Sequence, residues 1–158
     1  MAPRWISLHA PRTSSGRRSA RTMLIVDTGP LVAYLHRKDP EHVRRVDLLE
    51  SHEGQLMVTP YVLTEACYLV AKYIGAQAEI NLVEAVAAGD LTQVIPDQDD
   101  LARIAELMHC YQGFPLGLAD ASVISLAERC NAAAVATLDH RHFHAVKPRH
   151  VPSLKLLP

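Results

Sequence analysis

No apolar run in this 158-residue chain approaches the roughly 20 residues that a membrane-spanning helix requires. Cysteine is scarce: Cys67, Cys110 and Cys130 are odd in number, far apart and without a CxxC pair. A disulfide framework is thereby excluded and a structural zinc site disfavoured. Each cysteine lies in a stretch with helical apolar spacing, which predicts buried small hydrophobes in a reducing, cytoplasmic setting. The seven glycines nowhere form a glycine-rich phosphate loop, so P-loop and dinucleotide-binding readings fail. There is also no general excess of positive charge, with 16 Lys and Arg against 17 Asp and Glu. Five arginines (Arg4, Arg12, Arg17, Arg18, Arg21) fall within residues 1–22, where no acid occurs, leaving 11 basic against 17 acidic side chains in the rest. The body of the chain is therefore not a basic nucleic-acid binder, and any RNA contact has to come from a local patch or be bridged by cations.

What is present is an ordinary globular composition, 49% hydrophobic and 21% charged, with a length that fits one domain. Residues 1–22, rich in Arg, Ser and Pro, show neither helical nor strand period and no apolar core of a secretory signal. A transit-like targeting peptide is one reading of them. The expected one is a disordered basic tail or an over-called start, with translation beginning at Met23 and the folded domain running over 23–158.

Leu24-Ile25-Val26 is a short apolar run closing on Asp27, and Thr28 and Pro30 predict a helix start with Thr28 as its cap. Helices follow to about His36 and over Pro40 to Glu50, then a strand over 56–59, and Pro60 opens a helix to Tyr73. Further helices are predicted over 76–88, after Asp97 and over 118–129, with strands at 91–95, 134–138 and 154–156. For the helix after Asp97, the spacing predicts a buried face of Leu101, Ile104, Ala105, Met108 and Tyr111. Short apolar strands alternating with helices imply an α/β fold, a three-layer α/β/α sandwich with a central parallel sheet. Ligands of such sheets bind beyond the carboxyl ends of the strands, where Asp27 and Asp139 both fall.

Of the 17 acids, most sit where acids are cheap, at helix starts or in polar stretches, and four do not. Asp27 and Asp139 close apolar strands. Glu65 has Tyr61, Val62, Tyr68 and Leu69 as its same-face helical neighbours, and Asp120 has Leu116, Gly117, Val123 and Ile124, so both are expected to point toward the core. Individual salt bridges or helix caps could explain each, but the nearby cations are only Lys72, Arg129 and Arg141. Were the acids to converge, each pair about 4 Å apart would repel by some 4 kcal/mol at an effective dielectric near 20. A divalent cation relieves that repulsion, and all-oxygen ligation favours Mg²⁺ or Mn²⁺ over zinc. Such a pocket suits phosphodiester hydrolysis. Thr28 and Thr137 flank two of the acids and could hydrogen-bond a carboxylate, or serve only as a cap and a strand hydroxyl.

These segments resemble the PIN-domain family, and within it the VapC-type toxins of bacterial toxin–antitoxin pairs. The likeness rests on Leu24-Ile25-Val26-Asp27-Thr28-Gly29-Pro30, Thr59-Pro60-Tyr61-Val62-Leu63-Thr64-Glu65, Leu118-Ala119-Asp120-Ala121-Ser122, and Ala136-Thr137-Leu138-Asp139 followed by Phe143. It spans about Met23 to Leu156. The resemblance implies Asp27, Glu65, Asp120 and Asp139 as a catalytic divalent-metal site, with endoribonuclease activity on structured RNA such as tRNA or rRNA. It further implies a homodimer, a cognate antitoxin that occludes the site, and inhibition of translation. Some relatives carry another acid just before the last aromatic, where this chain has Arg141 and His142, which implies a single resting metal. Arg141 and His142 are candidate RNA contacts instead. The alternation of His140, His142 and His144 suggests an exposed loop or strand edge, with transition-metal ligation the lesser alternative. Two basic groups (Arg37, Lys38, Arg44 and Arg45; Arg141, Lys147 and Arg149) either track RNA or are solvated faces.

A haloacid-dehalogenase-like phosphatase also opens with a strand ending in Asp but needs a second acid two residues on, where Gly29 stands. An idle PIN-like module that binds RNA or a protein would be expected to have lost at least one of the four acids, and all are present. A purely structural role predicts that losing any of them changes mainly stability.

Overall fold

The structure, a computed structural model, describes residues 23–114 and 116–157. The expectations for residues 1–22 lie outside the described residues. In chain order the elements are β1 (Met23–Val26), α1 (Thr28–Leu35), α2 (His42–Ser51), β2 (Gln55–Val58), α3 (Pro60–Tyr73), α4 (Ala76–Ala87) and β3 (Thr92–Gln93), followed by α5 (Gln98–Cys110), α6 (Leu118–Arg129), β4 (Ala134–Ala136), α7 (His140–Ala145) and β5 (Lys155–Leu157). The five strands form one sheet in the order β3-β2-β1-β4-β5, with every pairing parallel. Helices sandwich it, giving the α/β/α architecture expected.

Parallel strands covered on both faces lack polar alternation, and Leu24, Ile25, Val26, Leu56, Met57, Val58, Val135 and Ala136 are all at most 4% exposed. The central strand is β1, with β2 on one side and β4 on the other. The chain therefore builds outward from β1 in both directions, and the switch point lies beside the carboxyl end of β1. Asp27 follows β1 directly and Asp139 lies three residues past β4. Helix α6 packs against β1 and β4, with α3 and α5 beside it. Its residues 121–127 are all buried, as expected of a helix apolar nearly all round. Among the described residues, no helix is long and apolar enough to cross a membrane.

Three local expectations are corrected. Helix α5 buries Asp100, Ile104 and Leu107, while Leu101 and Met108 stand 42% and 37% exposed. Polar anchors turn the helix: Asp97 and Asp100 form a reciprocal capping box, Arg129 of α6 pairs with Asp100, and Arg103 donates from Nε and Nη2 to Glu128, both at 2.8 Å. The alternating histidines are neither loop nor strand edge but begin α7, because the Asp139 carboxylate caps that helix by accepting the His142 N–H. Cys110 is exposed at the end of α5, and Cys67 and Cys130 are partly buried.

Candidate metal centre

Asp27 is 4% exposed and caps α1. Its Oδ1 accepts the Thr28 N–H at 2.7 Å, and its Oδ2 accepts the Thr137 hydroxyl at 2.7 Å. The cap of α1 is thus Asp27, not Thr28. The Thr28 hydroxyl instead donates to Glu65 Oε2 at 2.6 Å, across 37 residues of sequence. Thr137 Oγ1 also accepts the Asp139 N–H at 3.0 Å. Two threonine hydroxyls therefore tie Glu65 to the start of α1, and Asp27 to the turn that carries Asp139.

Glu65 does not face the core. It is exposed, as is Tyr68 at 63%, so this side of α3 opens to solvent while Val62 faces inward. Asp120, on the first turn of α6, is partly buried, and its Oδ2 accepts the Gly117 N–H at 3.2 Å. Asp139 accepts the His142 N–H at 3.0 Å on Oδ1, and the His142 ring Nδ1 lies against Oδ2.

Electrostatics show that the four acids share one neighbourhood. Burial lifts Asp27 from 3.8 to about 6 against the opposing hydrogen bonds from Thr137 and Thr28, and the charges of Asp120 and Glu65 add to the rise. Burial likewise raises Asp120; the Gly117 N–H and His142 oppose this, and Asp139 and Glu65 reinforce it. Asp139 moves the other way. Its burial would raise it, but the hydrogen bonds from the His142 side chain and backbone, with the charges of His142 and Arg141, outweigh that and lower it.

Among the described residues, none of the nearby lysines and arginines forms an ion pair with the four acids. Lys72 lies over the Tyr68 and Tyr73 rings, Arg129 pairs with Asp97 and Asp100, and the Arg141 guanidinium stacks 4.9 Å from the Phe114 centroid. Arg45, weighed as an RNA contact, is 1% exposed and paired with Glu41, and Arg149 pairs with Glu106. Among the described residues, no lysine or arginine forms an ion pair with Asp27, Glu65 or Asp120. Asp27 and Asp120, both with pKa values raised by burial and without a lysine or arginine partner, fit a divalent cation, and their hard oxygen donors fit Mg²⁺ or Mn²⁺. One ligand atom each of Asp120, Asp139 and His142 lies within 4.8 Å of the others. Two participants escape sequence reasoning. The Gly117 N–H depends on the turn before α6, and Phe114 packs against the His142 ring at 4.8 Å between centroids through a contact that no local pattern announces.

An all-parallel α/β sandwich with acids gathered past the carboxyl ends of its central strands has the form of a hydrolytic nuclease. The PIN domain family model matches residues 24–147. Ribonuclease VapC26 of Mycobacterium tuberculosis is 34% identical over 125 residues, covering 79% of this chain and 93% of that protein. The chain belongs to the PIN-domain family, in its VapC ribonuclease branch. Its fold is similar to that of Mycobacterium tuberculosis VapC20, a sarcin–ricin loop cleaving toxin, with a TM-score of 0.73 at 18% identity over 82% of this chain and 98% of that one. It is also similar to a chain of VapBC2 from Rickettsia felis, solved bound to a DNA fragment from its promoter, with a TM-score of 0.60 at 18% identity over 85% and 97%.

Proposed function

We propose that this chain is the toxin of a toxin–antitoxin pair, an endoribonuclease that acts in the cytoplasm and needs Mg²⁺ or Mn²⁺ to cut structured RNA, tRNA or rRNA, and so stops translation. The observation that carries the reading is the gathering, past the carboxyl ends of the central strands, of Asp27, Glu65 and Asp120 without a lysine or arginine partner, beside Asp139 and its His142. These four acids are the proposed metal ligands and catalytic residues.

When bound, the divalent cation supplies an acidified water and neutralises charge developing on the phosphate. The chain's own residues supply position. Asp27 is fixed by two hydrogen bonds in the core, Thr28 holds Glu65, and Thr137 with His142 orients Asp139. Such a preset acid cluster avoids reorganisation as charge develops. Glu65 is exposed, which gives its carboxylate the solvent access to accept a proton from an attacking water. Arg141, exposed on the first turn of α7 two residues after Asp139, is the proposed contact to a phosphate of the RNA backbone.

A cognate antitoxin is the proposed protein partner, supported by the paired composition of the Rickettsia felis structure. For a homodimer, the exposed Tyr68, Tyr73, Ile80 and Val83 of α3 and α4 offer an apolar face. Inducible expression in a bacterial host tests the function. Growth should arrest with new RNA 5′ ends confined to tRNA or rRNA, and neither effect should follow from Asp27→Asn at equal protein level. Arrest by the Asp27→Asn protein as well would remove the nuclease as its cause.

A further inference from the structure

Three histidines alternate along the start of α7, and the helix sorts them. His140 and His144 are four residues apart, pack edge to face at 5.9 Å between centroids, and are both exposed. His142 is turned away from them, 25% exposed, toward the acids. Its ring lies against Asp139 Oδ2, its backbone N–H donates to Asp139 Oδ1, and Phe114 holds the ring from the side at 56° between planes.

We propose that His142 is a nitrogen ligand of the cation held by Asp120 and Asp139, making this a mixed nitrogen–oxygen site that selects Mn²⁺ over Mg²⁺. The inference rests on the metal-dependent reading above and adds a ligand to it. Ligand atoms around a small divalent cation stand no more than about twice its roughly 2.0–2.2 Å bonds apart. The 4.8 Å spread of Asp120, Asp139 and His142 exceeds that by less than about 1 Å, and the contact between the His142 ring and Asp139 Oδ2 has to open to admit the cation. Carboxylate and water suit both Mg²⁺ and Mn²⁺, but of the two only Mn²⁺ belongs to the first-row transition metals, which take nitrogen donors that Mg²⁺ does not favour. A ring that only orients Asp139 by hydrogen bonding would leave an all-oxygen site with no such preference.

Pulsed electron paramagnetic resonance on the tag-free, full-length protein loaded with Mn²⁺ separates the two. The expected spectrum carries the ¹⁴N coupling of a bound imidazole. That coupling should persist when His140→Ala and His144→Ala are combined and vanish in His142→Asp. In competition titrations, His142→Asp should lose roughly tenfold or more of the Mn²⁺-over-Mg²⁺ preference, on the scale of disturbing a metal ligand's surroundings. Mn²⁺ bound without ¹⁴N coupling in the unaltered protein would overturn the inference and leave the metal-dependent nuclease standing. A coupling that survives His142→Asp would overturn it in the same way. Failure of the unaltered protein to bind either Mn²⁺ or Mg²⁺ would overturn both.

Discussion

Asp27 is held against its own electrostatics. Burial first, and the Asp120 and Glu65 charges with it, raise its pKa to about 6 in the folded chain, against 3.8 for an ordinary aspartate. The folded protein therefore takes up this proton more readily than the unfolded chain. Without metal, its contribution to stability is most favourable below the unfolded value and is lost as pH rises through about 6. Asp139 has the opposite sign: its lowered pKa contributes stability above the ordinary carboxylate range that is lost as pH falls through the depressed value. Asp27→Asn should therefore stabilise the metal-free protein at pH 7.5 by on the order of 1–3 kcal/mol, with the gain shrinking below pH 6 and vanishing near pH 4. Thermal melts in EDTA across that range check it, and a lower melting temperature at pH 7.5 would contradict the electrostatic account. At this scale the acids and both threonines were legible, because carboxylates and hydroxyls beside apolar strands stand out in a sequence. The exposure of Glu65, the capping by Asp27 and the Phe114–His142 contact were not, since each depends on which elements become neighbours.

Elements set the geometry those residues share. Gly29, second in α1, lies so close to the turn after β4 that an added Cβ would stand 3.1 Å from the Leu138 Cβ and 3.2 Å from its Cδ1. Gly29→Ala should therefore push Leu138, and with it the adjacent Asp139, outward by a few tenths of an ångström. Cleavage is expected to fall roughly tenfold. The melting temperature should barely move, because alanine in a helix gains up to about 1 kcal/mol over glycine. Parallel kinetics and melts read the two, and unchanged cleavage would mean the α1 contact does not position Asp139. The opposite pattern belongs to α5 and α6, joined by Arg103 and Glu128 at 13% and 10% side-chain exposure. Glu128→Gln leaves Arg103 only its ion pair with Glu106, 46% exposed, and should cost on the order of 1–2 kcal/mol in urea unfolding while leaving cleavage per folded molecule unaltered. Helix α3 was legible to its bounds from Pro60 and Gly75, whereas the α5 face was misread because buried polar anchors outrank apolar spacing. The short α7 was hidden by its histidine alternation, its cap being an acid already singled out for another role.

Over the whole molecule, the parallel α/β class was legible because strands buried on both faces read as uninterrupted apolar runs. Strand order was not: the central place of β1 comes from long-range pairing with β2 and β4. That placement gathers acids separated by more than a hundred residues of sequence into one site. The excess of acid over base outside residues 1–22 disfavours a general electrostatic attraction of RNA and leaves that part, in the proposed function, to cations and Arg141. The most direct measurement is cleavage of total cellular RNA by the purified protein with Mg²⁺, with Mn²⁺ and with EDTA, beside Asp27→Asn. Discrete fragments that require metal and vanish in both EDTA and the variant are the predicted result. Persistent absence of cleavage by folded, antitoxin-free, metal-loaded protein would contradict the central claim and leave an idle binding module in its place, and equal cleavage by Asp27→Asn would contradict it by taking Asp27 out of the chemistry.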